Sequence, residues 1–161
     1  MGKDEKKIAE ALIIAMKNEM RVIELYTNCE ERDFGPDSKK KIRNLVKDEE
    51  RHLKLLKDAF EKSLNKKLDS SKLKDASLKE IETIKGDPSS LHIIDIAIGY
   101  EKTEKAHFEK SEGILQDKEL KDLFKAFIKD EQGHIDILEK ERQAAVGAPF
   151  DEYEIELYVR E

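Results

Sequence analysis

The feature that most constrains this chain is a duplicated Glu-x-x-His motif, Glu49–His52 in the first half and Glu131–His134 in the second. A spacing of three residues places a carboxylate and an imidazole one turn apart on the same face of a helix. In both motifs the two residues fall on the apolar stripe of a helical pattern, where an unpaired carboxylate is costly to bury. A bound cation is the simplest way to keep such groups inside a protein.

The two motifs belong to a longer internal duplication with an offset of 82 residues, the separation between His52 and His134. Each motif is preceded, 30 residues earlier, by another glutamate, which is Glu19 in the first half and Glu101 in the second. The apolar frame repeats at the same offset, with equivalent pairs Leu12 and Ile94, Ala15 and Ala97, Tyr26 and Phe108, Ile42 and Phe124, Leu45 and Phe127, Leu56 and Leu138. Two helix pairs with this pattern form the inward-facing ligand set of a di-metal carboxylate four-helix bundle.

Either motif alone is weak, because acidic residues occupy 37 of the 161 positions and such a spacing arises by chance. A third example, Glu104–His107, has no counterpart in the first half, and we interpret His107 as a residue at the edge of the core. His92 is interpreted as a surface residue. For His52 the alternative is a hydrogen-bonded core histidine, which is disfavoured because the same arrangement recurs around His134.

The apolar periodicity predicts four long helices, at about residues 4–33, 37–64, 89–115 and 117–146. A short turn with a candidate N-cap at Asp37 joins the first two, which makes them antiparallel neighbours. The stretch between the second and third helices is weakly patterned, and the sequence Ser77–Glu80 resembles a capping box that opens a short helix. Such a long crossover is typical of a ferritin-like bundle.

We therefore predict an all-α fold with a single ferritin-like four-helix bundle over residues 1–149 and a C-terminal tail over residues 150–161. In the tail, apolar and polar residues alternate, which is typical of a strand. A single strand is not stable alone, so the tail is expected to pack on the bundle or to pair with another chain. This makes a homodimer our expectation.

Composition and charge exclude several classes of partner and location. The formal net charge of −6 gives no reason to expect nucleic acid or an anionic membrane surface as a partner. No apolar run approaches the length of a membrane span, and the N-terminus lacks the apolar core of a signal peptide. The single cysteine, Cys29, excludes an internal disulfide framework and any Cys-x-x-Cys metal site, so the cytoplasm is the expected location.

The ligand pattern resembles that of the rubrerythrins, a family of ferritin-like di-iron proteins, over residues 5–147. The specific mark is Glu104, three residues after Glu101, at the position where the first half has Val22. Ferritin-type sites use six protein ligands, and rubrerythrins carry a seventh at this place. The resemblance implies two iron ions as the cofactor, with manganese or zinc as alternatives. It implies seven metal ligands, which are Glu19, Glu49, His52, Glu101, Glu104, Glu131 and His134.

The resemblance also implies a role for several of these residues. Glu49 and Glu101 would bridge the two ions. His52 and Glu104 would exchange as ligands of the first ion when its redox state changes, which makes both candidate catalytic residues. Tyr26 matches a family tyrosine whose hydroxyl supports a ligand carboxylate. The alternative for Tyr26 is a core aromatic residue.

The activity implied by the resemblance is that of a peroxidase, an oxidoreductase that reduces hydrogen peroxide to water. Rubrerythrins usually carry a rubredoxin module with two Cys-x-x-Cys knuckles, which this sequence lacks. An external electron-donor protein such as rubredoxin is therefore expected. The tyrosine usual in the third helix of the family is also absent, since none follows Glu104 there. The alternatives are a ferritin-like ferroxidase that uses oxygen, and a structural bundle with a vestigial or zinc-filled site.

Overall fold

The computed structural model describes residues 1–30, 36–75 and 90–147, together with the isolated positions 156 and 159. The long helices are α1 (Lys3–Glu30), α2 (Pro36–Leu64), α3 (Ser90–Ile114) and α4 (Lys118–Gly147), and a short 3₁₀ helix, Ser70–Asp75, follows α2. No strand occurs in these ranges. The predicted all-α fold is therefore confirmed. The short helix expected after Ser77 lies outside the described residues, as does most of the tail. At Glu156 the tail is helical, so the strand expected there is wrong at this position.

The start of α2 differs from the prediction. The helix begins at Pro36, so Asp37 lies in its first turn and is not the N-cap. Proline suits the first helical position because the N–H that it lacks would have no partner there, and an acidic side chain in the first turn interacts favourably with the helix dipole. At the start of α4, the backbone N–H of Leu120 donates to the Asp117 carboxylate at 3.0 Å, which makes Asp117 an N-cap.

The four helices form two tightly packed pairs. Helix α1 packs along α2, and α3 packs along α4. The pairs meet mainly through α1 and α3, whereas α2 and α4 make few direct contacts. None of the described helices is both long and apolar enough to cross a membrane.

Two apolar clusters fill the bundle, one towards each end. The first, which we call the phenylalanine cluster, includes Leu12, Met16, Leu56, Phe108, Phe124 and Phe127. The second, the tyrosine cluster, includes Val22, Leu25, Tyr26, Leu45, Ala97 and Leu138. On every helix the buried acidic and histidine residues lie between the members of one cluster and those of the other. The fold thus holds a polar layer between two apolar halves of the core.

Candidate metal centre

The polar layer contains all seven residues that the sequence singled out as metal ligands. Helix α1 contributes one of them, and each of the other helices contributes two. The two residues on one helix are three positions apart, so both lie on its buried face. Every one of the seven side chains is at most 3% exposed. They are Glu19, Glu49, His52, Glu101, Glu104, Glu131 and His134.

Six of these side chains form two overlapping groups, and within each group the potential ligand atoms lie within 4.8 Å of one another. The first group consists of Glu19, Glu49, His52 and Glu131. The second group consists of Glu49, Glu101, Glu131 and His134. Each group offers three carboxylates and one imidazole, a donor set that suits iron, manganese or zinc.

The shared members of the two groups are Glu49 and Glu131. They are equivalent in the duplication, since each is the glutamate of a Glu-x-x-His motif. The resemblance had implied Glu49 and Glu101 as the bridging pair, and the geometry places Glu131 in the shared position in place of Glu101. The reason is the duplication. If the two halves are related by a twofold axis, a pair of residues shared by both groups must consist of equivalent residues, and Glu49 and Glu131 are equivalent whereas Glu49 and Glu101 are not.

The histidines point their Nδ1 atoms into the centre. His52 Nδ1 lies 3.1 Å from a Glu131 oxygen and 3.3 Å from a Glu19 oxygen. His134 Nδ1 lies 2.9 Å from a Glu49 oxygen and 3.3 Å from a Glu101 oxygen. The two imidazole rings stack with centroids 6.0 Å apart, one in each group.

The opposite nitrogens of the two histidines contact aspartates that the sequence analysis did not identify. His52 Nε2 lies 2.9 Å from Asp130 Oδ2, and His134 Nε2 lies 3.0 Å from Asp48 Oδ2. Each pair joins α2 to α4 across the centre. A proton held on Nε2 by a carboxylate leaves the Nδ1 lone pair free for a metal ion. A signal was present, because each aspartate directly precedes a motif glutamate and recurs at the same offset.

The two aspartates are not held equally. The Arg51 guanidinium lies 2.8 Å from Asp130 and 3.9 Å from Asp48. In the second half the position equivalent to Arg51 is Gly133. The surroundings of the two histidines therefore differ even though the pairs themselves are duplicated.

The centre contains an unusual number of buried polar atoms without a hydrogen-bond partner. Among the described residues, they are His52 Nδ1 and both carboxylate oxygens of Glu19, Glu49, Glu104 and Glu131. Each unpaired buried polar group costs about 1–3 kcal/mol, and charged groups cost more. Metal ions bound by these atoms would satisfy them, so the residues present fit a pair of divalent cations.

Burial and mutual repulsion raise the pKa of three of the carboxylates well above the ordinary value, those of Glu19, Glu101 and Glu104. For each of them burial is the largest cause, and the charges of neighbouring glutamates add to it. Without a cation, these three acids therefore keep their protons to a higher pH than an exposed glutamate does.

The remaining groups compensate for this charge. Burial by itself would raise the pKa of Glu49, but the close approach of Glu19, His134 and His52 outweighs it and lowers that pKa strongly. Burial by itself would lower the pKa of His52, but the nearby carboxylates of Glu131 and Glu49 raise it to about 9. In the metal-free protein, protonated imidazoles occupy the place of positive charge that a metal ion would supply.

Glu104 and Tyr26 complete the surroundings of the two groups. Glu104 is buried beside Glu19 but belongs to neither group. The Tyr26 hydroxyl donates a hydrogen bond to Glu101 Oε1 at 2.5 Å, and burial and the Glu101 charge raise its pKa. His107 lies outside the centre, with Nε2 2.9 Å from the carbonyl oxygen of Ala11, which fits its interpretation as a core-edge residue.

Removal of either aspartate that contacts a histidine is expected to weaken metal binding. Losing such a partner typically costs about 10–100-fold in affinity, because the imidazole is no longer held in the required tautomer and orientation. Asp130→Asn should lower the affinity for the ion at His52, and Asp48→Asn should lower the affinity for the ion at His134. Titration against a chromogenic chelator measures both affinities. The control is Asp58→Asn, which replaces an exposed aspartate on α2, the helix that also carries Asp48. An equal loss in all three variants, or no loss in any, would contradict this role.

Four helices that direct two glutamate and Glu-x-x-His sets at one buried centre define the class of ferritin-like di-metal carboxylate bundles. The family model described as Rubrerythrin matches residues 10–142, so the chain belongs to the rubrerythrin family. A solved structure of a hypothetical protein from Pyrococcus furiosus has the same fold, with a TM-score of 0.71 over 89% of this chain and 93% of that one, at 20% identity. No curated protein matches the sequence.

Proposed function

We propose that this protein is a di-iron peroxidase that reduces hydrogen peroxide to water with electrons from an external donor protein such as rubredoxin. Membership of the rubrerythrin family and the buried carboxylate and histidine centre support this assignment. The reaction consumes two electrons and two protons for each peroxide, and two bound iron ions would supply the electron pair together. The observation that carries the proposal is Glu104, a seventh buried ligand-type residue beside a six-residue ligand set.

The ligand roles follow from the two groups. Glu19 and His52 would hold the first ion, Glu101 and His134 would hold the second, and Glu49 and Glu131 would contact both. Asp130 and Asp48 orient the histidines, and the Tyr26 hydroxyl orients Glu101. The Tyr26 O–H stays protonated because of its raised pKa, so it remains a hydrogen-bond donor.

Glu104 lies next to Glu19, which would hold the first ion. Its equivalent in the first half is Val22, which cannot bind a metal. We propose that Glu104 and His52 alternate as ligands of the first ion. A carboxylate favours the harder Fe³⁺, and a neutral imidazole suits Fe²⁺ better.

A polar cleft offers hydrogen peroxide a route to the centre. It has a volume of about 310 Å³, opens between α2 and α4, and its walls include Asn44, Asp48, Lys140 and His134. Amide, carboxylate and ammonium groups can replace the hydrogen bonds that peroxide makes in water. His134 and Asp48 form the part of the cleft that belongs to the metal centre.

Replacement of Glu104, the seventh ligand-type residue, tests the peroxidase directly. Glu104→Ala should retain two metal ions, because the six residues of the two groups remain. Stopped-flow reoxidation of the reduced protein by peroxide should slow by about tenfold or more, which corresponds to about 1.4 kcal/mol in activation free energy. Reoxidation by oxygen should slow much less.

The matched control for this experiment is Glu109→Ala, an exposed acid one turn further along α3. It should behave as the unaltered protein with both oxidants. If Glu104→Ala also matches the unaltered protein with both oxidants, Glu104 is a core carboxylate without a redox role, and the peroxidase proposal loses its main support.

A ferritin-like ferroxidase is the second candidate. The observation in its favour is that the two groups contain six residues and leave Glu104 outside. A purely structural bundle is separated from both enzymes by the metal content of the purified protein, measured by mass spectrometry, and by the visible absorption band of oxo-bridged ferric iron.

Location and assembly are also part of the proposal. Cys29 is buried in the tyrosine cluster, and a reducing cytoplasm is our proposed location. We further propose a homodimer as the assembly. Analytical ultracentrifugation of the whole chain measures the assembly directly.

A further inference from the structure

An apolar pocket of about 40 Å³ lies at the end of the second ligand group, inside the tyrosine cluster. All four helices contribute to its walls. Three of its wall residues lie four positions from a proposed ligand on the same helix: Leu45 from Glu49, Ala97 from Glu101, and Leu138 from His134. The pocket is therefore stacked one helical turn from the second metal position.

Tyr26 connects the pocket to the centre. Its ring lines the pocket, and its hydroxyl donates to the Glu101 carboxylate. A molecule in the pocket is thus separated from the second ligand group by a single buried side chain. Tyr26 is not a wall residue of the cleft at His134.

The other half of the bundle shows that the pocket is a property of particular residues. The positions equivalent to Ile42 and Leu45 carry the larger side chains Phe124 and Phe127, and the position equivalent to Tyr26 carries Phe108. These rings pack closely, with Phe108 centroids 5.4 Å from Phe124 and 5.2 Å from Phe127. Phe127 in turn lies 4.2 Å from the His52 ring. Phenylalanine rings thus fill the space beside the first ligand group, whereas the equivalent space beside the second group is an open pocket.

The rim of the pocket is also different from its counterpart. Glu141 on α4 accepts hydrogen bonds from Ser38 at 2.9 Å and from Lys41 at 2.5 Å, both on α2. The side chains of Glu141, Ser38 and Lys41 therefore hydrogen-bond to one another at the rim, and the rest of the pocket wall is mainly hydrocarbon. The equivalent positions in the other half are the apolar residues Leu120, Leu123 and Ala59.

We propose that this pocket binds dioxygen and holds it beside the second metal position. Apolar cavities in proteins stay dry and take up small apolar guests such as xenon. Hydrogen peroxide would lose its hydrogen bonds to water in such a pocket without replacement. Dioxygen is therefore assigned to the apolar pocket and peroxide to the adjoining cleft at His134, which shares the wall residues Lys41, Leu45 and Ile137 with the pocket. The delivery of an oxidant rests on the proposed function, whereas the binding of the guest does not.

Xenon binding tests the pocket without any turnover. Crystals of the metal-loaded protein under xenon pressure should show one xenon atom bounded by Ile42, Ala97 and Leu138. Ile42→Phe, which copies Phe124 of the other half, should abolish this site, and the volume-conserving Ile42→Leu should retain it. Absence of xenon from the pocket of the unaltered protein overturns the proposal, even if Ile42→Phe does not fold.

Stopped-flow reoxidation tests the route. Ile42→Phe should slow reoxidation of the reduced, metal-loaded protein by dioxygen several-fold and leave reoxidation by peroxide unchanged, while Ile42→Leu matches the unaltered protein. Unchanged dioxygen kinetics, or equal slowing with both oxidants, would overturn the proposal. If the unaltered protein reduces no peroxide, the peroxidase function fails, but a selective loss of the dioxygen reaction would still support the pocket.

Discussion

Removal of metal is expected to lower the melting temperature by on the order of 10 °C. A ligand present at 1,000 times its dissociation constant stabilises a fold by about 4 kcal/mol, and about 1 kcal/mol shifts the melting temperature of a protein of this size by roughly 2–4 °C. The physical cause is the set of unpaired buried atoms around His52 Nδ1, which metal ions would satisfy. Calorimetry of the chelated and the iron-reconstituted protein measures the difference, and equal melting temperatures would exclude a filled, buried site.

The pH dependence of the same measurement provides an internal check. The raised pKa values of Glu19, Glu101 and Glu104 mean that the folded metal-free state binds more protons than the unfolded state above about pH 4.5. His52, with its pKa raised to about 9, acts in the same direction above pH 6.5. The stability of the metal-free protein should therefore fall as the pH rises from 5 to 8. The lowered pKa of Glu49 acts only below this window.

Metal-loaded protein should show the opposite trend in that range. Metal ions bind deprotonated ligands, so their affinity, and with it the stability of the loaded protein, increases with pH. Urea unfolding of both forms at pH 5 and pH 8 should give differences of opposite sign. Two differences of the same sign would show that metal does not replace the protons of the centre.

Loss of a shared glutamate is expected to release both metal ions. Glu49 and Glu131 belong to both groups, so Glu49→Ala removes a ligand from each ion and leaves both groups incomplete. Glu101 belongs to one group, and Glu101→Ala should therefore release one ion and retain the other. The metal content of each variant after loading and dialysis, determined by mass spectrometry, measures the difference.

The neighbouring exposed residue supplies a matched control, since Glu50→Ala should retain both ions. If Glu101→Ala released both ions and Glu131→Ala only one, the bridging pair would be Glu49 and Glu101, as the family resemblance had implied. If Glu50→Ala lost metal to the same extent, the effect of Glu49→Ala would reflect a general loss of negative charge.

Local and repeated information predicted much of the fold and of the candidate centre. The four helices follow from apolar residues at intervals of three and four, a signal that each segment carries by itself. The ligand-type residues were found because the duplication repeated them at one offset, from Glu19, Glu49 and His52 to their partners in the second half. The start of α2 was placed wrongly because two adjacent residues, Pro36 and Asp37, both favour a helix N-terminus.

Contacts between helices required the structure. Whether Glu101 or Glu131 is shared by the two groups depends on how the two pairs face each other, and helical spacing does not contain that information. The contacts of Asp130 with His52 and of Asp48 with His134 likewise join residues that are distant along the chain. The same is true of the hydrogen bond from Tyr26 to Glu101.

The sequence by itself determined which residues are buried on each helix, because periodicity and duplication are properties of the chain alone. Only the tertiary structure decided which buried groups meet. The way in which the four helices are aligned along the bundle creates the polar layer and its two overlapping groups. The same alignment places the pocket beside the second group. In that alignment Phe124 and Phe127 fill one end of the bundle, and Ile42 and Leu45 leave the other open.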